Sequence, residues 1–324
     1  MPTTVDLLVP GRITTRDAVA AAYGCGVQSI EPADEAGKVF VYSDPSAGEE
    51  YGYTFDGRAE DDEFGPLYLY TGAGANGPQK PSGRNEALLT HVEKGRELHL
   101  FVAAGKVPGS GTLRQRYVGQ MVLDPVRPYD VRRGPGKDHV MRDVLVFRFR
   151  PAGGTTPAWT EADRAPVATR SGYEIVDPEV VAEHHSTAET IADIPAGQRK
   201  VLRRKGELVK AFAAHLEAAG HRTHSFQIAV EGEPGVLTPD LYDATDHALY
   251  EAKGLTTRAN IRMAIGQLAD YRRHIPGDRI LRVVVLLPGE PSDDLKDLLG
   301  EEYVELVYRT ADGFAGWPLV YNKL

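Results

Sequence analysis

The first 150 residues alternate short apolar stretches with Gly and Pro turns. Five stretches are rich in β-branched and aromatic residues, which is typical of β-strands. They span residues 39–42, 67–70, 98–102, 117–123 and 144–149. A single helix is predicted among them, over residues 84–93. Strands that follow one another with so little helix between them favour a curved sheet or a barrel.

From residue 197 onward the apolar positions follow a helical period. Residues three or four apart share one side of a helix, and an amphipathic helix is predicted over residues 200–220. Its apolar face consists of Leu208, Val209, Phe212 and Leu216. A hairpin follows, and the later elements are a helix at 256–273, a strand at 280–287, a helix at 292–299 and a strand at 303–308. This order predicts an α/β core, and with the β-rich region it makes the whole chain α+β.

The composition changes between these two regions. Residues 151–196 are rich in Pro, Ala, Thr, Gly and charged residues, as expected of a linker, and a helix is predicted inside it at 178–189. The 324 residues suffice for two domains with separate cores. We therefore expect an N-terminal domain at 1–150, a linker at 151–196 and a C-terminal domain at 197–324.

Composition excludes several classes of protein. Cys25 is the only cysteine, which rules out an internal disulfide or a cysteine-based zinc site. No apolar run reaches the roughly 18 residues of a membrane-spanning helix, and no leader is found, so a cytoplasmic protein without a membrane partner is expected. His215, His221 and His224 lack acidic partners at ligand spacing, and we interpret them as surface residues.

The net charge is −9. It argues against a nonspecific nucleic-acid coat, because DNA affinity comes largely from neutralised phosphates. Contact with DNA would have to use local basic patches, although a solvated surface is the simpler interpretation of each patch alone. The candidates are Arg114 with Arg116, Arg132-Arg133, Arg199-Lys200, Arg203-Arg204-Lys205 and Arg272-Arg273.

The most informative chemistry lies at Asp240, Glu251 and Lys253. Glu251 and Lys253 are two apart on a predicted strand and point to one face, while Asp240 ends or leaves the strand before it. Carboxylates so placed suit Mg²⁺, which binds through one or two acids plus substrate phosphate, and Lys253 could orient an attacking water. Solvated strand and turn charges would give the same letters, and Asp243 and Asp246 compete with Asp240 for the ligand role.

Three residues on the neighbouring predicted helices extend this pattern. Glu207 flanks the apolar face of the first helix, and Gln267 and Tyr271 are four apart on the next, so they share one side.

With these additions, the C-terminal region resembles the PD-(D/E)XK nuclease superfamily over roughly residues 197–324. The resemblance implies a PD-(D/E)XK αβ nuclease core in which Asp240 and Glu251 bind Mg²⁺, with Mn²⁺ as an alternative, and Lys253 assists the water. It further implies that Glu207 supports the metal site and that Gln267 and Tyr271 hold the active site or the phosphate. A member that keeps the fold only to bind DNA is the alternative.

A glycine-rich string, Gly72-Ala-Gly74-Ala-Asn-Gly77, follows one predicted strand and precedes the 84–93 helix. It satisfies the bare dinucleotide-binding pattern. That site needs a parallel βαβ unit with an acid closing the second strand, whereas here Glu97 precedes the second strand. A tight turn is therefore the preferred interpretation.

Aromatic and acidic residues near this string suggest a pocket for a base. Tyr53-Thr-Phe-Asp56 and Tyr70-Thr71-Gly72 place two rings and a carboxylate at strand and loop ends, the groups needed to stack an extruded base and accept from its amino group. The surrounding strings run Tyr68-Leu-Tyr70-Thr-Gly-Ala-Gly74, Gly77-x-Gln79, Gly83-x-Asn85-x-Ala87-Leu88 and Arg116-Tyr117-x-Gly119.

These strings resemble the SRA (YDG) domain, the reader that flips 5-methylcytosine, over about residues 10–150. The resemblance implies that Tyr53 and Tyr70 stack on the base and that Asp56 binds it. Two acids of the family pattern are missing, since Tyr117-Val118-Gly119 and Gly77-Pro78-Gln79 stand where it has Tyr-Asp-Gly and Gly-Asp-Gln. The preferred modification is therefore left open.

Together the two resemblances imply a modification-dependent (type IV) restriction endonuclease that binds double-stranded DNA with a modified cytosine and hydrolyses it with Mg²⁺. Since one nuclease site cuts one strand, a homodimer or larger homo-oligomer is expected. Two alternatives stay open at this point: a non-catalytic protein that binds modified DNA, and a repair nuclease acting on damaged DNA.

Overall fold

The computed structural model describes residues 6–49, 55–59, 61, 65–124, 127–168, 170–176, 196–233, 235–275, 277 and 280–319. These residues form two compact units that divide between residues 167 and 168. The predicted linker at 151–196 is thus split: its described residues up to 167 belong to the first unit and those from 168 to the second. The predicted helix at 178–189 lies outside the described residues.

The first unit is built on one sheet. Among the described residues its strands are β1 (Ile13–Thr15), β2 (Ile30–Ala33), β3 (Lys38–Ser43), β4 (Gly57–Arg58), β5 (Tyr68–Thr71), β6 (Glu97–Lys106), β7 (Leu113–Leu123), β8 (Tyr129–Pro135) and β9 (Met141–Pro151). The order is β2-β3-β6-β7-β9-β5-β4, with β1 beside β7 and β8 beside β9. Only β3 and β6 pair in parallel within this described sheet. The helices are α1 (Arg16–Tyr23), α2 (Pro45–Glu49) and α3 (Arg84–Leu89).

The predicted strands of the N-terminal region are confirmed, each within a few residues of its expected bounds. The helix predicted at 84–93 is present but ends at Leu89. The first helix, α1, was not predicted. Its cap is visible in the sequence, since the Thr15 side chain accepts a hydrogen bond from the Ala18 backbone, as Thr commonly does at a helix start.

Residues after β9 pack back onto the sheet. The Trp159 ring stacks on Tyr68 with centroids 5.6 Å apart and planes 4° apart. The Ala165 backbone nitrogen donates to the Arg58 carbonyl at 2.9 Å. Gly57 allows this approach, because its φ is +143° and a Cβ there would lie 2.4 Å from the Ala165 nitrogen. Position 57, the first residue of β4, therefore requires glycine directly after Asp56.

The second unit has a sheet with helices on both faces. Its described strands are β10 (Gly172–Val176), β11 (Thr223–Ala229), β12 (Leu241–Asp243), β13 (Ala248–Ala252), β14 (Arg282–Leu287), β15 (Glu305–Thr310) and β16 (Gly313–Ala315), in sequence order across the sheet. The helices are α4 (Ala196–Ala218), α5 (Arg258–Arg272) and α6 (Asp293–Glu301). Strands β13, β14 and β15 are parallel and the other pairs are antiparallel. The predicted order of elements is confirmed here, while β10, β11 and β16 were not predicted.

The alternation of side chains along β13 divides the core of this unit. Tyr250 packs with α4 residues such as Phe212, whereas Leu249 packs with α5 residues such as Leu268. Glu251 is two residues beyond Leu249 and therefore points to the α5 side. None of the helices that the structure describes is both long and apolar enough to cross a bilayer.

Candidate functional site

Asp240 and Glu251 face each other at one end of the β12–β13 pair. Leu241 pairs with Tyr250 in this antiparallel ladder, so the register places Asp240 opposite Glu251. The Ala252 backbone nitrogen donates to Asp240 Oδ2 at 2.8 Å, which holds the carboxylate in this position. Asp240 therefore precedes strand β12, and the expectation that it ends or leaves a strand is corrected in this detail.

Two lysines contact these carboxylates. The Lys253 ammonium lies 3.1 Å from Glu251 Oε1. The Lys205 ammonium, from helix α4, lies 3.0 Å from Asp240 Oδ2 and 3.7 Å from Glu251 Oε1. Glu251 and Lys253 are each 1% exposed and Lys205 is 7% exposed. The result is a nearly closed cluster of two acids and two ammonium groups.

Helix α5 contributes an amide and a phenol. Lys253 Nζ donates to Gln267 Oε1, and the Gln267 amide nitrogen lies 3.5 Å from the Tyr271 hydroxyl, one helical turn away. The structure thus joins Gln267 to the lysine of the cluster and Tyr271 to Gln267.

Helix α4 presents a different residue from the one expected. Glu207 is exposed, whereas Lys205, which was grouped with a basic surface patch, is buried against Asp240 and Glu251. Residues two apart lie on different sides of a helix, so only one of the two can face the cluster. Gly254 lets α4 come close: a Cβ there would lie 2.2 Å from the Val201 carbonyl oxygen. Lys205 was missed because no local pattern indicates which face of α4 meets the strand ends.

The residues at this cluster fit a divalent cation in donor type. Carboxylate oxygens are the ligands that Mg²⁺ prefers. The single ammonium group of Lys205 touches an oxygen of Asp240 and an oxygen of Glu251, so both acids can converge on one cation. Their convergence depends on the pairing of β12 with β13.

Asp243 and Asp246, the competing candidates, lie at the other end of the ladder. Asp243 pairs with Ala248, its Oδ1 accepts from the Thr245 backbone, and its Oδ2 lies 2.6 Å from His221 Nδ1. The expectation that His221 has no acidic partner is therefore wrong, because the turn brings Asp243 to it. His221, Asp243 and Asp246 lie close enough to share an ion, but Asp243 already caps the turn.

In the first unit, Asp56 is a buried acid with neutral hydrogen-bond donors. Asp56 is 8% exposed. Its Oδ2 accepts from the Ser43 hydroxyl at 2.7 Å, and its Oδ1 accepts from the Thr71 backbone nitrogen at 2.7 Å. Burial raises the pKa of the Asp56 carboxyl, against the lowering effect of these two hydrogen bonds. The Tyr68 hydroxyl donates to Ser43 at 2.9 Å and extends the chain.

Of the two predicted stacking rings, one is described. Tyr70 is 2% exposed, its hydroxyl donates to the Ser29 carbonyl at 3.2 Å, and its ring stacks on Phe149 with centroids 5.6 Å apart. In this conformation Tyr70 is a core residue of β5, the strand that pairs with β4, rather than an open platform. Tyr53 lies outside the described residues. Ser43, which donates to Asp56, is distinguished by no local motif and was not predicted from the sequence.

The glycine-rich string after β5 forms a braced turn. Asn85 Oδ1 accepts from the Ala73 nitrogen at 2.7 Å, and the Gln79 amide donates to the Gly72 carbonyl at 2.6 Å. Strand β5 pairs antiparallel with β9, so the parallel βαβ unit of a dinucleotide site does not form at this string. The turn interpretation is confirmed, and Gln79 in the Gly77-Pro78-Gln79 string has a role in bracing.

Several members of the predicted basic patches pair with acids of the same chain. Arg116, Arg133 and Arg273 pair with Asp163, Asp143 and Asp270, at distances of 2.5, 2.7 and 2.7 Å. Arg132 is buried near Asp130, and burial lowers its pKa to about 10. The side chains of Arg199 and Lys200 lie outside the described residues. Arg114 stays exposed.

Comparison with known proteins identifies the family of the first unit. Residues 10–172 match the family described as ScoMcrA-like, SRA domain, and this chain belongs to that family. The match extends beyond the predicted boundary at residue 150 and includes the segment carrying Trp159. No curated protein sequence matches the chain.

Three solved structures illustrate the similarity. The sulfur-binding and SRA domains of ScoMcrA, complexed with phosphorothioated DNA, are 24% identical over 49% of this chain and 43% of that one, with a TM-score of 0.34. KRYPTONITE, in complex with mCHG DNA and SAH, is 14% identical over 50% of this chain and 36% of that one, with a TM-score of 0.32. The chain thus spans less than half the length of these two proteins.

The third structure is similar over a larger part of the chain. The DNA modification-dependent restriction endonuclease AspBHI is 12% identical over 95% of this chain and 90% of that one, with a TM-score of 0.31.

Proposed function

We propose that the chain is a modification-dependent restriction endonuclease that reads a modified cytosine with its first unit and hydrolyses DNA with a PD-(D/E)XK core in its second. The proposal that the second unit is a nuclease rests on one observation, the clustering of Asp240, Glu251, Lys253 and Gln267. These residues lie just before one strand, at the end of another and on a helix, and contacts of Lys205 and Lys253 connect them into one largely buried cluster. Two carboxylates and a lysine are the groups that metal-assisted phosphodiester hydrolysis requires.

Each residue of the cluster has a distinct role in this proposal. Asp240 and Glu251 would hold Mg²⁺, or Mn²⁺ in its place, and the bound ion would polarise the phosphate and lower the pKa of a water. Lys253 would orient the attacking water and offset charge developing at phosphorus. Gln267 accepts a hydrogen bond from Lys253 and would keep its ammonium aimed at the water. Tyr271 would hold Gln267 in place.

Membership in the SRA family supports the proposal that the first unit recognises a modified base. Asp56 adds a chemical argument, because an ionised carboxylate accepts hydrogen bonds and the exocyclic amino group of cytosine donates them. A thymine presents a carbonyl at the equivalent position and would be rejected. Burial of Asp56 without a cationic partner among the described residues suits a group that receives a neutral donor.

Cleavage of both strands calls for two copies of the second unit, since one site cuts one strand. A homodimer or larger closed oligomer would supply them.

A cleavage assay on matched duplexes tests the proposal. The full chain is incubated with a duplex containing modified cytosine and with its unmodified counterpart, with Mg²⁺, with Mn²⁺ or with chelator. Cutting of the modified duplex alone, and only with metal, is expected. Metal-dependent cutting of both duplexes at one rate would indicate a nuclease without modified-base reading, and damaged-DNA substrates would then test the repair alternative.

A non-catalytic protein that binds modified DNA is the second candidate. One observation favours it: Lys205 contacts both proposed metal ligands. A site for a metal cation would normally hold no positively charged side chain at that position. Selective binding without cleavage under any metal condition would support this candidate.

A further inference from the structure

The acid cluster of the second unit contains a cation that no step of the proposed hydrolysis uses. Lys253 contacts Glu251 and Gln267, as the proposed water-activating lysine should. Lys205 instead lies 3.0 Å from Asp240 Oδ2 and 3.7 Å from Glu251 Oε1. It is the group that joins the two acids to each other.

The position of Lys205 conflicts with a bound divalent ion. A metal held by both acids would be attracted to the same two oxygens that the Lys205 ammonium now touches. The metal ion and the ammonium group are both positively charged, so they would repel each other strongly if they contacted the same oxygens. The repulsion grows in a buried site, where the effective dielectric constant is low. Two ammonium groups already oppose two carboxylates, so these four groups offer a divalent ion no excess negative charge.

The surroundings of Lys205 keep it at the site. It is 7% exposed, and the close approach of α4 at Gly254 sets the helix against the strand end. Removal of a buried ammonium from its acids is costly unless another cation takes its place. A metal is such a cation, and a DNA phosphate is an anion that could receive the displaced lysine.

We propose that Lys205 is the resident counter-ion of the Asp240–Glu251 pair, holding both carboxylates in ligand position without metal and competing with the divalent ion for them. The inference rests on the proposed nuclease function and adds a residue that sets its metal affinity. It makes metal binding weak in free protein and stronger when a phosphodiester adds negative charge at the site.

Metal binding to the free full-length chain tests this without any cleavage. Mn²⁺ is titrated into wild type, Lys205→Met, Lys205→Gln and Lys205→Arg, and free Mn²⁺ is measured by electron paramagnetic resonance. Met keeps the apolar stem, Gln keeps a polar end, and Arg keeps the positive charge. Lys210→Met, which removes an exposed lysine of the same helix, is the matched control. Asp240→Asn identifies binding at this site.

Removal of the charge should tighten Mn²⁺ binding by roughly 10- to 100-fold, the range over which groups around a metal site change its affinity. Lys205→Arg and Lys210→Met should bind as wild type does. Addition of Mn²⁺ should also raise the melting temperature of Lys205→Met and Lys205→Gln more than that of wild type, since a ligand stabilises the state that binds it. Two neutral variants and two readouts protect the test against the failure of one variant to fold.

Two negative results have different meanings. If Asp240-dependent Mn²⁺ binding is equally strong in wild type and in both neutral variants, Lys205 is no competitor and the inference fails, while the nuclease proposal survives. If no folded variant shows Asp240-dependent binding at any Mn²⁺ concentration, the metal site itself is refuted and the proposed nuclease function fails with it.

Discussion

Asp56 in the first unit and the Asp240–Glu251 pair in the second unit have opposite kinds of neighbour. Asp56 in the first unit accepts hydrogen bonds from a hydroxyl and a backbone amide, and no cation contacts it among the described residues. Asp240 and Glu251 in the second unit meet two ammonium groups. Both arrangements cost desolvation energy, because a buried carboxylate loses its water.

The difference indicates what each acid is suited to bind. The pKa of Asp56 is raised by burial and only partly restored by neutral donors, so an additional neutral donor such as a base amino group would relieve it without importing charge. Asp240 and Glu251 already hold cations and would exchange one for another. The different partners of Asp56 and of the Asp240–Glu251 pair therefore suit two different ligands, a base and a metal ion.

The largest expected effect is the loss of cleavage when an acid of the second unit is neutralised. Glu251→Gln keeps the shape of the side chain and removes its charge. It should lower the rate of metal-dependent cleavage of modified duplex by at least about 10²–10³-fold, the usual effect of removing one electrostatic contact to a transition state. Affinity for the modified duplex should change little. The cleavage rate is measured with Mg²⁺ and the affinity with chelator, where no cutting is expected.

The matched control is Asp297→Asn, which neutralises an exposed acid on α6 and should cut like wild type. Lys253→Ala should behave like Glu251→Gln. Cleavage by Lys253→Ala at the wild-type rate would show that this lysine has no part in the mechanism. It would also contradict the PD-(D/E)XK assignment.

The second effect concerns selectivity for the modified base. Asp56→Asn replaces an acceptor oxygen with a donor amide. A hydrogen bond to a charged group contributes roughly 1.5–3 kcal/mol, and we expect the unmodified duplex to be bound mainly through its phosphates. The preference for modified over unmodified duplex should therefore fall about 10- to 100-fold in a gel-shift titration at fixed salt. The melting temperature should stay level or rise, because the substitution removes the cost of a buried charge.

Asp17→Asn, at an exposed acid in the first turn of α1, is the control for this measurement. A drop in melting temperature with unchanged selectivity would make Asp56 a structural residue of the sheet. An equal loss of affinity for both duplexes would indicate a phosphate-contact effect and not base reading.

The sequence was most informative where a pattern is local. Alternating apolar residues predicted strands such as β6 and β7, and the helical period predicted α4 and α5, since both patterns follow from backbone geometry. The spacing of Glu251 and Lys253, with Asp240 shortly before them, predicted that these three form a group, and the structure brings them together.

Long-range packing explains what the sequence did not reveal. Lys205 lies in a run of basic residues that is typical of a surface patch. It is buried only because α4 packs against the sheet. Ser43 reaches Asp56 from a strand 13 residues earlier. Tyr70 was predicted as a stacking residue from its Tyr-Thr-Gly context, but Phe149 occupies its ring face here. A Tyr70→Ala test would therefore mix core loss with binding, and Tyr70→Phe is the cleaner variant.

A third effect should be smaller, because Gln267 acts through Lys253. Gln267→Ala removes the acceptor that orients the ammonium group and should lower the cleavage rate roughly tenfold, in line with the loss of one hydrogen bond to a charged group. KM for the duplex should stay unchanged while kcat falls. Met263→Ala, an exposed position one turn earlier on α5, is the control, and Gln267→Glu should recover part of the rate. A collapse of the melting temperature with normal activity of the folded fraction would assign Gln267 to packing.

The smallest effect is a pH dependence that runs in opposite directions for binding and for stability. Burial raises the pKa of Asp56 above the ordinary value of 3.8, so the folded protein binds this proton more tightly than the unfolded chain does. The contribution of Asp56 to stability is therefore fully present below pH 3.8 and is lost as the pH rises through the raised value.

Base reading needs the ionised form of Asp56 and should weaken as the pH falls towards that value. We expect the ratio of affinities for modified and unmodified duplex to fall as the pH is lowered from 7.5 in wild type and to stay flat in Asp56→Asn. The unmodified duplex corrects for other groups that gain protons over the same range. A ratio that stays flat in wild type as well would mean that Asp56 does not read the base as an ionised acceptor.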